Sequence, residues 1–214
     1  MLEAVATVCR ALACEQNLLI LHALCPDREL ASGKLAERAV LPPAQVSDRL
    51  GPLAARGIVQ RRRSGAHVYY RPADHDGGPR RFWPWGLVRQ SLADPSVAAV
   101  GWEHDRILHL SAETVKKVPA AAATAMDIIF DAATAFANVR RLQVVKLLQQ
   151  KGGCSAAGIQ QGLKMSPPAC WRHLGKLKRR GYARQEPPGT WVLVAHPKPR
   201  FHRGLLKQVI EALG

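Results

Sequence analysis

Two short stretches of the chain carry the residue types that read and grip a polyanion. In the first, Gln45, Ser47 and Arg49 lie on the outward side of a helix-sized segment, and Arg61, Arg62, Arg63 and His67 follow soon after. Glutamine offers the donor and acceptor pair that adenine accepts, and arginine pairs with guanine or with phosphate. A run of arginines with a histidine suits a clamp on a phosphate backbone. The second stretch places Ser166, Trp171, Arg172, His173, Lys176 and Arg179 on or beside another such segment, with Lys178 and Arg180 next to them and Arg184 beyond. For Arg172 the surrounding positive charge favours a nucleic-acid contact over a merely solvated face. The first stretch has Asp48 at the matching place, which repels phosphate but can accept from cytosine.

The charge supports this chemistry and is unevenly spread. The 214 residues carry a formal net charge of +15, which points to a polyanionic partner, nucleic acid before membrane. Residues 1–74 hold 10 Lys+Arg against 7 Asp+Glu, residues 75–124 hold 6 against 5, and residues 125–214 hold 15 against 4. If phosphate contacts dominate affinity, the C-terminal part grips harder. No apolar run approaches a membrane span, and the N-terminus lacks the pattern of a secretory signal. A cytoplasmic chain without membrane contact is expected. Five cysteines in such a chain read as buried or free thiols, not a disulfide framework.

The elements that position these residues are used twice. Residues 11–70 recur at 135–194 with a constant offset of 124 and no gap, and such self-similarity marks one supersecondary unit repeated. Pairs such as Leu18/Leu142, Leu24/Leu148, Pro43/Pro167, Leu50/Leu174, Leu53/Leu177, Gly57/Gly181 and Gly65/Gly189 fall on core and turn positions. In each unit a helical segment, broken near Cys14–Asn17 in the first, precedes a short helix carrying Leu30, Leu35 and Ala36 or their counterparts. A proline-started helix follows. Val46, Leu50 and Leu53 in one, and Cys170, Leu174 and Leu177 in the other, give its buried stripe. Ser166 can cap the second. Gly51-Pro52 predicts that the first kinks or ends early, because an interior proline loses a backbone bond. A hairpin then turns at residues 64–66 in the first unit and 187–189 in the second. A last helix is expected from about Arg203 to Leu213, with a similar segment at residues 82–92.

Helix, turn, helix and basic hairpin in this order form a winged helix-turn-helix. The chain resembles the ArsR/SmtB family of transcriptional repressors through ELASGKLAERA (29–39), LPPAQVSDRLGPLAARGIV (41–59) and QRRRSGAHVYYRP (60–72), and again through AFANVRRLQVV (135–145) and MSPPACWRHLGKLKRRGYA (165–183). The resemblance implies a mainly α fold with small β-hairpins, and with the repeat it gives two tandem winged domains, at residues 1–93 and 124–214. Their expected arrangement is a pseudo-two-fold one that imitates the family's dimer. The segment between them, 94–123, lies outside the resemblance and is expected to be ordered because it holds Trp102, Ile107, Leu108 and Leu110. In such motifs the second helix enters the major groove while the wing holds phosphates.

The family's cysteine metal site falls on Ala31 and Gly33 in the first unit and Ser155 and Ala157 in the second, so it is absent from both. Asp74, His75 and Asp76 lack the His/Glu partners of the family's other site and read as a solvated loop. Glu103, His104, Asp105 and His109 read as surface residues, since His104 and His109 do not share a helical face. No metal and no cofactor is expected. Cys154 and Cys170 read as small buried hydrophobes. Trp83, Trp85 and Trp102 read as core joining the units before they read as an effector pocket.

The expected function is sequence-specific double-stranded DNA binding by a transcriptional regulator, a repressor by resemblance, with an effector unspecified. It would act as a monomer with an internal pseudo-dimer or as a homodimer. The rival is a winged-helix protein-interaction module that has lost DNA reading. An enzyme is not expected, as there is no glycine-rich phosphate loop, nucleophile elbow or HExxH.

Overall fold

A computed structural model describes residues 1–25, 29–73, 82–94 and 120–214. Ten helices and two small sheets make up these residues. The N-terminal half runs α1 (Leu2–Leu12), α2 (Glu15–Leu24), β1 (Leu30–Ala31), α3 (Ser32–Ala39), α4 (Pro43–Ala55), β2 (Val59–Ser64), β3 (His67–Pro72) and α5 (Trp85–Ala93). The C-terminal half runs α6 (Ala120–Phe136), α7 (Val139–Lys151), β4 (Cys154–Ser155), α8 (Ala156–Leu163), α9 (Pro167–Arg179), β5 (Ala183–Glu186), β6 (Thr190–Leu193) and α10 (Arg200–Leu213).

The bounds of β1, α3 and α4 stand 124 residues before those of β4, α8 and α9. Backbone conformations follow the same spacing. Val40 and Lys164 both take left-handed conformations after their short helices, and Gly57 and Gly181 do so after the proline-started ones. Val40 pays for this with a branched side chain in a region that glycine enters freely. Strand order is β1-β3-β2 in one sheet and β4-β6-β5 in the other, antiparallel throughout.

Several local expectations need correction. Leu30 lies on β1, not on the short helix, and β4 is likewise a strand that no sequence pattern marks. The helix α4 continues through Gly51 and Pro52 to Ala55 and does not end early. Both residues are exposed, so the carbonyl that Pro52 cannot satisfy faces water, and the helix has only its last turn left to run. The last helix starts at Arg200, about a turn before the expected Arg203. Cys154 is half-buried and not a core residue, whereas Cys170 is fully buried. All five thiols are free. The helix α6 runs through residues 120–123, which had been expected within the connecting segment.

Apolar stripes explain why the helices gather as they do. Val46, Leu50 and Leu53 are each 1% exposed, and Cys170, Leu174 and Leu177 are fully enclosed. The helix α1 packs on α6, and α5 and α10 pack on α6 and on each other. Small residues allow the close approach: Ala122, Ala125, Ala132, Ala133 and Ala135 line the buried faces of α6. Gly204 of α10 serves the same purpose, since a Cβ there would stand 2.8 Å from Leu87 of α5.

Each leading helix bends sharply into the next, by 84° between α1 and α2 and by 81° between α6 and α7. Different residues hold the two corners. Asn17 Nδ2 donates to the Ala11 carbonyl at 2.9 Å. At the equivalent place Arg141 donates from Nε to the Ala135 carbonyl at 2.6 Å and from Nη2 to the Thr134 carbonyl at 2.9 Å. Both side chains are buried. The carbonyls at a helix C-terminus have no partner within the helix, so these donors satisfy them. Arg141→Ala is expected to cost roughly 1–3 kcal/mol, because buried acceptors are then left unpaired. Chemical denaturation of the two proteins checks this, and Asn17→Ala, which frees a single carbonyl bond, is expected to cost less.

No single described helix is long and apolar enough to cross a membrane. Asp74, His75, Asp76, Trp102, Glu103, His104, Asp105 and His109 lie outside the described residues.

Candidate nucleic-acid interface

The helix α9 begins with Pro167 in its first turn, where a missing N–H costs nothing. Ser166 occupies the cap position, but its side chain accepts no capping hydrogen bond. Capping by side chain occurs instead at Ser155, which accepts from the Gly158 N–H at 3.1 Å, and at Asn138, which accepts from the Arg141 N–H at 3.1 Å. Ser166 is exposed.

With Cys170, Leu174 and Leu177 turned inward, α9 presents Trp171, Arg172, Lys178 and Arg179 to solvent. Lys176 is half-buried, and burial first, then Arg141 and Arg179, lowers its pKa. His173, expected outward, is only 8% exposed. It sits on the flank of the stripe that α7 covers. Burial foremost, then Arg141, Arg172 and Arg140, lowers its pKa and favours the neutral ring. A neutral, covered imidazole is a poor phosphate ligand. Arg180, which follows the helix, is half-buried and turns inward, to an ion pair with the buried Asp131 of α6. The outward cations of α9 are therefore Arg172, Lys178 and Arg179, with Lys176 at the edge.

The wing beside α9 carries Arg184, exposed on β5. Its guanidinium is already engaged by Glu186, through Nη2 at 2.6 Å and Nε at 3.0 Å. Spacing of two on one strand puts both side chains on one face, so this pair was within reach of sequence reasoning.

In the N-terminal half, Gln45, Ser47 and Asp48 are exposed on α4 and Arg49 is half-buried. Arg61, Arg62, Arg63 and His67 are exposed on the hairpin. They are not equally available. Arg62 donates to both carboxylate oxygens of Glu29, from Nε at 3.0 Å and from Nη2 at 2.7 Å. Its guanidinium also lies 5.1 Å from the centre of the Tyr69 ring. The hydrogen bonds from Arg62 hold the Glu29 carboxyl below the usual range. Glu29 stands 33 residues from Arg62 in the chain, and only the sheet brings them together. Arg63 Nε reaches the Gly65 carbonyl at 3.4 Å, a weak contact.

Trp83 and Trp85 stack at 6.0 Å with rings 5° from parallel. Trp83 also lines a cavity of about 360 Å³ with Glu3, Thr7, Arg56 and Phe82. Among the described residues, no group of three or more His, Cys, Asp or Glu side chains is placed to hold a metal ion.

The surface of α9 lies within a family match. Residues 138–184 match the winged helix-turn-helix DNA-binding family. The match runs from the Asn138 cap of α7 through α9 to Arg184 and contains every candidate residue of the C-terminal half. No curated protein and no solved structure matches the chain.

Proposed function

We propose that the chain, with a winged helix-turn-helix DNA-binding domain at residues 138–184, is a transcriptional regulator that reads double-stranded DNA through two units and acts as a repressor. The observation that carries this reading is the exposed cationic face of α9 within that domain, with Arg172, Lys178 and Arg179 free of ion pairs among the described residues. In this reading α9 enters the major groove, its side chains read base edges, and Ser166 and the wing hold phosphates.

The proposal extends to the N-terminal half. The shared spacing of β1, α3 and α4 with β4, α8 and α9 supports two units descended from one, at residues 1–93 and 124–214. The packing of α1, α5 and α10 on α6, which joins helices of the two halves, supports a single chain that stands in for the dimer of ArsR-type repressors. Half-sites would then lie one helical turn apart, roughly 34–36 Å. Gln45, Ser47, Arg49, Arg61, Arg62, Arg63 and His67 would serve the first half-site. The positions of the family's cysteine metal ligands hold Ala31, Gly33, Ser155 and Ala157, so regulation would not use that site.

A salt titration of duplex binding tests the reading. Four cations on α9 make a log-log slope of about −3 or steeper the expected result, at about −0.9 per phosphate neutralised. The rival is a protein-interaction module, favoured by one feature: an arginine of each wing is tied to a carboxylate of the same chain. Absence of duplex binding at low salt would overturn the DNA-binding reading and favour the rival.

A further inference from the structure

We infer that Trp171 is a specificity-determining contact that packs on thymine methyl groups in the major groove, so that the half-site under α9 requires thymine. This deepens the DNA-binding reading and rests on it.

Trp171 is 50% exposed, and it and Met1 are the exposed large hydrophobic side chains among the described residues. Its ring is not loose. Trp191 of β6, itself 3% exposed, meets it edge to face with centroids 6.1 Å apart and planes at 69°. The wing therefore sets the orientation of the indole. Along the helix, position 175 lies one turn further on the same row, where a side chain would cover the ring. That residue is Gly175, and a Cβ there would meet nothing within 4 Å. Glycine adds no side chain to that row, and Trp171 stays half exposed.

The surroundings identify the partner. Arg172 adjoins Trp171 on the exposed face, and Lys178 and Arg179 follow. A protein interface or a membrane would ask for a wider apolar patch, whereas this is one aromatic ring among cations. A partner that complements it is strongly anionic and carries isolated apolar groups. The major groove of a duplex has that character, and its apolar group is the C5 methyl of thymine. Ser47, 124 residues earlier, has no comparable surface. The preference therefore belongs to one half of the site.

The test selects duplexes from a random pool with the full chain, then replaces thymine by deoxyuridine in the selected duplex, which removes the methyl and nothing else. Thymine is expected in the half-site contacted by α9. Each methyl buried against the ring is expected to contribute about fourfold in affinity, from the free energy of burying one such group. Trp171→Ala should bind the thymine and deoxyuridine duplexes equally, and Trp171→Phe should keep part of the difference. A selected site without thymine, an intact affinity on deoxyuridine, or a deoxyuridine effect that persists in Trp171→Ala overturns the inference while leaving DNA binding in place. The deoxyuridine comparison on the unaltered chain decides the matter even if Trp171→Ala folds poorly. A chain that retains no duplex at low salt overturns both readings together.

Discussion

Asp131→Ala is expected to lower the free energy of unfolding by about 3–5 kcal/mol, the cost of stranding a buried charge whose partner is removed. Asp131 is 1% exposed on α6 and faces Arg180, the residue that ends α9. Its other oxygen stands 3.6 Å from Nε2 of His202 on α10, also 1% exposed. The Arg180 side chain is 18% exposed, and burial lowers its pKa. Without the carboxylate, the guanidinium must stay charged in a covered site or pull out and unpack its surroundings. Tyr182 and His202 stack over the same region at 5.2 Å, and Phe136 packs on Tyr182 at 4.6 Å. The loss should therefore spread to the junction of α6, α9 and α10. Chemical denaturation of the full chain reads the effect, and a change below about 1 kcal/mol would show that the pair contributes little. Asp131→Asn keeps the shape without the charge and should fall between the two.

The second large effect is on binding. Arg172→Ala is expected to weaken duplex binding about 5- to 150-fold, matching the roughly 1–3 kcal/mol that a bidentate base contact contributes. Arg49→Ala should cost distinctly less. Arg49 is half-buried beside the exposed Asp48, while Arg172 is exposed between Trp171 and the buried His173. The charge excess of +11 in residues 125–214 against +3 in residues 1–74 points the same way. Binding isotherms on one duplex, with each variant at matched salt, check the asymmetry. Equal losses from the two variants, on a perfectly palindromic site, would contradict the proposal that the halves play unequal parts.

Much of this architecture was legible because it follows from local periodicity. The stripes at 46, 50 and 53 and at 170, 174 and 177 can be read from i, i+4, i+7 spacing alone, and both are buried. Prolines marked where α4 and α9 begin, and glycines at 57 and 181 marked where the chain leaves them. What escaped were features too short or too distant to leave a pattern. β1 and β4 have two residues each, too few for alternation to register. His173 looked outward on a helical wheel because it lies at the margin of the stripe, and the docking of α7 closes that margin.

From its residues alone, the buried stripes of α4 and α9, the points where those helices begin and end, and the lopsided positive charge were determined, since these depend on neighbours in the chain. Which cations remain free for a partner was decided by the tertiary structure. Arg62 meets Glu29, and Arg180 meets Asp131, across 33 residues and between separate helices. Charges interact through space and not along the chain, so only folding could show that Arg62 and Arg180 are engaged while Arg172 stands open.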